Sequence, residues 1–226
     1  MFKRYDLVII NRSFWPVYPV IGEGLLRLAE NLSYSKKVAV ITQDHANIKN
    51  HLKYSKRGIG VRFFPAWAFS NSSSGLIKRI LDSIFFMFWV LFCLIKTRPK
   101  NIYVSTDPPI LVPFVVAIFS KFMRVNYVYH LQDIHPEATN TIIKLNSYLF
   151  KFLKKIDNFT IQHANSLITL NEEMKIEIES RLKVKKEIKI IENPSVILNT
   201  FSKLQKKKGF SFTGNLGRLQ LVPLLI

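Results

Sequence analysis

The chain has a single cysteine, Cys93, among 226 residues. An intrachain disulfide framework is therefore excluded, and the thiol content fits a reducing compartment. Acids are also scarce: 15 Asp and Glu stand against 33 Lys and Arg, for a net charge of +18. That excess calls for an anionic partner, whether nucleic acid, acidic lipid headgroups or a phosphorylated substrate, and charge alone does not choose among them. The five His lack a metal-ligand spacing, so no structural metal is expected. The opening MFKRYDLVII has too short an apolar run for a signal peptide and lacks a small-residue cleavage site. What is abundant is apolar material, 48% of the chain, enough for the core of one large domain or two small ones and incompatible with a disordered protein.

In order, a buried first strand is expected over Tyr5–Ile10, followed by the loop NRSFWPVYPVIGEG and a helix from near Glu23 with Leu25, Leu28, Ala29 and Leu32 on one face. Gly22 and Gly24 allow the backbone to approach a ligand at the helix N-terminus, with Glu23 between them. A GxG without its third glycine is equally well explained by turn chemistry. KVAVITQ, ending at Gln43, reads as a second strand, a polar basic segment follows, and VRFF reads as a third strand.

The segment from Leu76 to Ile95 is apolar on every face over its last dozen or so residues, short of the roughly 20 needed to span a bilayer. Three readings compete. A transmembrane helix would put the next strand across the membrane and destroy a sheet built by parallel crossovers. A core crossover helix leaves the outer aromatics without a burial partner. The third reading dips that outer face into a membrane interface, with Phe86 and Trp89 as contacts and Lys78, Arg79, Lys96 and Arg98 at anionic headgroups.

The centre of the chain is Tyr103–Asn140, read as strand, loop, helix, strand, loop. Its two strands end in STDPP, with Asp107, and QDIHPE, with Asp133 and His135. Ligands of open parallel sheets bind beyond the carboxyl ends of the strands, so these loops are the candidate site. Pro136 holds His135 out of helix, free to face the cleft, whereas His130 is expected to pack within its strand. Asp133 has an alternative role as a carboxylate capping the next turn. Beyond lie the amphipathic SYLFKFLKKIDNF, the strand SLITL, a helix over Glu172–Leu182 and the strand IKIIEN, stopped by Pro194. Continuous apolar runs alternating with helices predict an α/β, Rossmann-like, doubly wound parallel sheet of about six or seven strands.

YPVIGEGLLRLAENL, QDIHPE, NEEM and IKIIENPSV occur in the order seen in family 4 glycosyltransferases of the GT-B fold, and FSFTGNLGRLQ resembles the opening of that family's second domain. The likeness is strongest to bacterial enzymes that build O-antigen or capsular polysaccharide on a lipid carrier. It implies an acceptor-side domain over 1–200, a linker over 201–209 and the start of a donor-binding domain over 210–226, truncated where the sequence reaches LVPLLI. A shortened gene, a frameshift near Gln220 or a split enzyme would each give this. The implied reaction is retaining transfer of a sugar from a nucleotide-diphosphate donor to a lipid-pyrophosphate-linked saccharide, without cofactor or essential metal, at the inner face of the cell membrane. The resemblance assigns catalysis to Asp133 and His135, although Gln132 also stands near the family's His or Asp position. It assigns acceptor contacts to Gly22, Glu23, Gly24 and Asp107, and the donor diphosphate to Gly214, Asn215, Gly217 and Arg218. The expected partners are the donor, the lipid-linked acceptor, an anionic membrane surface and the missing domain. Against nucleic acid, aromatics cluster in apolar runs and do not alternate with Lys and Arg. The alternatives are a basic Rossmann-like module that binds nucleic acid and an inactive membrane-associated remnant.

Overall fold

Strands covered on both faces must be apolar at successive positions, and the central ones are: Val8, Ile9 and Ile10 are fully buried, as are Ala39, Val40 and Ile41. The computed structural model describes residues 4–71, 74–183 and 185–193. In chain order the elements are β1 (Leu7–Ile10), α1 (Pro19–Ser33), β2 (Val38–Asp44), α2 (Ile48–Tyr54), β3 (Arg62–Trp67), α3 (Leu76–Thr97) and β4 (Asn101–Ser105). There follow α4 (Leu111–Met123), β5 (Asn126–His130), α5 (Glu137–Ile142), α6 (Ser147–His163), β6 (Ser166–Thr169), α7 (Glu172–Arg181) and β7 (Ile188–Ile190). The strands form one seven-stranded sheet in the order β3-β2-β1-β4-β5-β6-β7, parallel throughout.

Side chains alternate across the sheet and build two cores. On one face Ile9, Val38 and Val40 pack with Leu25, Leu26 and Ala29 of α1 and with Ile48 and Leu52 of α2. On the other, Val8, Ile10, Ile41, Val104, Tyr129 and Leu167 meet α3, α4, α6 and α7 through Phe86, Val116, Ile161 and Ile178. The chain runs from β1 outward to β3, then returns to lay β4 on the opposite side of β1, so the strand order reverses between β1 and β4.

Several sequence expectations shift. Helix α1 begins at Pro19, ahead of Glu23, because proline at the first helical position is preset for the helix and needs no N–H partner. Leu28 points outward and Leu26 takes its place in the core. The polar segment after β2 contains α2, and β5 stops at His130, ahead of Gln132. The short α5 follows QDIHP and was not foreseen.

The largest correction concerns α3. It connects β3 to β4 within one sheet, so it does not cross a bilayer while that sheet is intact. Its buried face is Asp82, Phe86, Val90, Cys93, Leu94 and Thr97. Phe86 is thus a core residue and no membrane contact, and Trp89 is half-buried with its indole N–H donating to the Phe64 carbonyl at 3.2 Å. Asp82 is fully buried yet accepts from Ser70 Oγ at 2.6 Å and from Gln43 Nε2 at 3.0 Å, which fixes the rotation of the helix about its axis. Phe86→Ala is expected to lower stability by about 3–5 kcal/mol, and Phe88→Ala, two positions round the helix, to change it by less than about 0.5 kcal/mol, as read from urea midpoints.

Candidate functional site

Three strand ends lie side by side at the reversal, those of β1, β4 and β5, and the loops leaving them enclose a cavity of about 710 Å³. The β1 loop contributes Asn11, Ser13 and Tyr18, and the first turn of α1 contributes Pro19, Val20 and Ile21. Thr106 and Asp107 come from the β4 loop, and Gln132, Asp133 and His135 from the β5 loop. Cis peptide bonds precede Pro16, Pro108 and Pro136 in the same three loops.

The floor is a hydrogen-bonded lattice. Ser105 Oγ donates to the Asn11 side chain, whose amide donates to the Ser13 carbonyl. Asp107 accepts from the Ser13 amide at 2.8 Å and from Arg12 Nε at 3.1 Å, and the Gln132 amide donates to Thr106 Oγ1 at 3.2 Å. Asp107 therefore braces the β1 loop while lining the cavity. Gln132 Nε2 is buried without a hydrogen-bond partner among the described residues, which leaves a donor for a ligand.

His135 is 8% exposed, and its Nδ1 is 3.0 Å from Thr139 Oγ1. Burial pushes its pKa below the ordinary histidine value, the Arg181 charge adds to that, and Asp133 and Glu137 oppose it. The ring is neutral near pH 7. Asp133, two residues earlier, is exposed in the cavity wall.

Beneath this loop Arg181, whose side chain is 2% exposed, gathers three carboxylates: Glu137 at 2.7 Å, Glu177 at 3.1 Å and Asp157 at 3.3 Å. It also donates from Nη1 to the His135 carbonyl at 2.9 Å. Burial drives the Asp157 carboxyl up to about 6 even with Arg181 beside it and Tyr129 donating to it at 3.1 Å. The arginine thereby ties α5, α6 and α7 to the backbone of the catalytic candidate. Sequence reading missed it because a charged residue on a polar helix ordinarily faces solvent.

The three acceptor-side candidates of α1 sit off the cavity lining. Gly22 is buried under the β1 loop, where an added Cβ would sit 2.2 Å from the Trp15 nitrogen, so the glycine is there for close packing. Glu23 pairs with Arg27 at 2.6 Å and Arg57 at 3.2 Å, away from the cavity lining. Gly24 is half-buried within α1 and does not line it either. Asp107, Asp133 and His135 are brought together, and Asn11, Tyr18, Thr106 and Gln132 join them. Gly214, Asn215, Gly217 and Arg218, with the linker and the start of the second unit, lie outside the described residues.

His130 ends β5 packed as expected, its Nδ1 bonded to the Tyr103 hydroxyl and its ring buried. Burial lowers its pKa from 6.5 to about 4. In the unfolded chain it protonates near the ordinary value, so its stabilisation is full above that pH and is lost as pH falls toward 4. Between pH 7 and 5 the native chain is expected to lose about 2 kcal/mol more than His130→Gln in urea titrations. Arg181→Leu is expected to cost about 3–5 kcal/mol near neutral pH, since it strands buried carboxylates. The measurement is a denaturation midpoint, with a larger loss than for Arg27→Leu at an exposed pair.

No model of a known protein family matches the sequence, and no curated protein matches it. Solved structures do. The chain is similar to Arabidopsis thaliana UGT89C1, with a TM-score of 0.51 and 10% identity over 90% of this chain and 53% of that one. It is also similar to the glycotransferase of kitacinnamycin, with a TM-score of 0.51 and 9% identity over 92% and 56% of the two chains. It spans about half the length of the solved proteins it matches. At such identity the likeness is one of fold, and the fold is the Rossmann-like parallel α/β architecture found in GT-B glycosyltransferases.

Proposed function

We propose that the chain is the acceptor-side part of a glycosyltransferase. It works with a nucleotide-diphosphate sugar and passes the sugar, with retention, to a hydroxyl of a lipid-pyrophosphate-linked saccharide in bacterial O-antigen or capsule assembly, on the inner side of the cell membrane. The observation that carries the reading is the juxtaposition of Asp133 and neutral His135 in one cavity at the strand-order reversal. The ordered sequence likeness supports the family and acceptor class.

In the reaction a bond forms between the acceptor oxygen and the anomeric carbon while the anomeric carbon–oxygen bond to the diphosphate breaks, and the hydroxyl proton passes to the departing diphosphate. Asp133 is placed to orient the acceptor hydroxyl or the donor ring. Thr139 occupies His135 Nδ1, which leaves Nε2 to meet the substrate. Gln132 Nε2 supplies a further donor. Charge on the departing diphosphate falls to helix N-termini and basic groups, with Arg218 and the backbone at Gly214, Asn215 and Gly217 as candidates.

The test is an assay with bacterial membranes and a panel of nucleotide sugars, run on this chain alone and with a co-expressed donor-binding domain. Asp133→Asn and His135→Ala are each expected to lower the rate at least ~100-fold with the circular dichroism of the chain unchanged. Full rates from both variants would refute the site. Robust turnover by the chain alone would mean that the donor site is built within it.

A further inference from the structure

Helix α3 buries one side against the sheet and leaves the other apolar. Ile77, Leu81, Phe85, Phe88, Phe92 and Ile95 recur at spacings of three and four, and each is between 37% and 76% exposed. The helix is 22 residues long, about 33 Å at 1.5 Å per residue, and the stripe runs most of that length. Beside Phe85 the stripe is widened by Phe69, whose ring lies 5.8 Å from that of Phe85, and by Trp67, 5.6 Å from Phe69 and 72% exposed.

Charge is one-sided on α3, α4 and α6, whereas α7 in the same layer carries exposed Glu172, Glu173 and Glu179. The only acid of α3, Asp82, is fully buried; α4 has none; the only acid of α6, Asp157, is 1% exposed. Lys78, Arg79, Lys96, Lys121, Lys151 and Lys155 are all exposed on the same three helices. On the opposite layer Glu23 and Glu30 of α1 are paired to Arg57. A second copy docked through the α3 face would set this basic layer against itself. An anionic bilayer satisfies both features at once, since its acyl boundary takes the stripe and its headgroups take the flanking cations.

We infer that the outer face of α3 is a membrane-docking surface for anionic lipid, with Phe88 and Phe92 at its centre and Lys78, Arg79 and Lys96 at the headgroups. The helix lies in the interface and remains part of the sheet layer. This stands on α3 and its neighbours and does not depend on the transferase reading.

Flotation with vesicles of phosphatidylglycerol and phosphatidylcholine, against phosphatidylcholine alone, tests it without any activity. The native chain is expected to partition at least ~10-fold more strongly onto the anionic vesicles, and raised salt to weaken but not abolish binding. The double variant Phe88→Ser, Phe92→Ser is expected to lose at least ~10-fold in partitioning with its thermal midpoint unchanged, because neither side chain is in the core. A Phe88→Trp variant gives an independent reading: its added emission is expected to be quenched by lipids brominated on the acyl chain. Equal flotation of native and double variant, equal flotation on neutral vesicles, or absence of quenching would each overturn the inference. So would a dimer in sedimentation that the double variant dissolves while neither form binds vesicles.

Discussion

The constraint on which the molecule depends is that a parallel sheet must be connected by crossovers, and that the chain here reverses direction at β1. Strands β2 and β3 are laid on one side of β1 and β4 to β7 on the other. One connection must therefore travel back from the edge strand to the centre, and that connection is α3, which touches β1, β2 and β3 on its way to β4. The same reversal sends neighbouring loops apart above β1, β4 and β5, which is what opens the cavity. A long helix crossing beneath three strands buries one side only, so the apolar outer face of α3 and the cleft are two consequences of one connection.

The second element that decides the site is electrostatic. A guanidinium buried among Glu137, Asp157 and Glu177 is costly to desolvate, and each contact offsets only part of that cost. Its geometry brings a return in order. Arg181 fixes the His135 carbonyl and the first residue of α5 together, so the loop that presents Asp133 and His135 is held from below by α6 and α7 and from the side by Thr106. The raised Asp157 carboxyl marks how dry that support is.

How much of this was legible follows from where side chains carry phase information. Strands buried on both faces read directly as apolar runs, and β1 and β2 stand within a residue or two of their expected bounds. Loops at strand ends follow from topology, so Asp107, Asp133 and His135 were found together. A helix apolar on every side offers no such phase: Phe86 and Trp89 were read as outward when Phe86 faces the core and the outward residues are Phe85, Phe88 and Phe92. The clue was Asp82, whose burial depends on Gln43 and Ser70, distant in sequence. Gly22 stayed ambiguous for a related reason, since a glycine approached closely by backbone looks the same in sequence whether the approaching chain is a ligand's neighbour or the protein's own Trp15.

Cavity and helix face are also joined physically. Arg12 reaches from the β1 loop to Ser83 Oγ of α3 at 3.4 Å with one nitrogen and to Asp107 at 3.1 Å with another. Ser83 lies on the first half of α3, on the side of the helix turned from Leu81 and Phe85 of the exposed stripe. Only one arginine separates the lining of the cleft from the helix inferred to rest on lipid. With α3 in the headgroup layer, the mouth of the cleft is held close to the bilayer, and a saccharide on a lipid pyrophosphate presents its sugar in that zone. The two proposals remain separately testable, because vesicle binding needs no catalysis and catalysis on a soluble acceptor analogue needs no vesicle. Their coupling has its own signature: the Phe88→Ser, Phe92→Ser variant should slow transfer to membrane-bound acceptor and leave transfer to a water-soluble analogue unchanged, whereas Asp133→Asn should slow both alike.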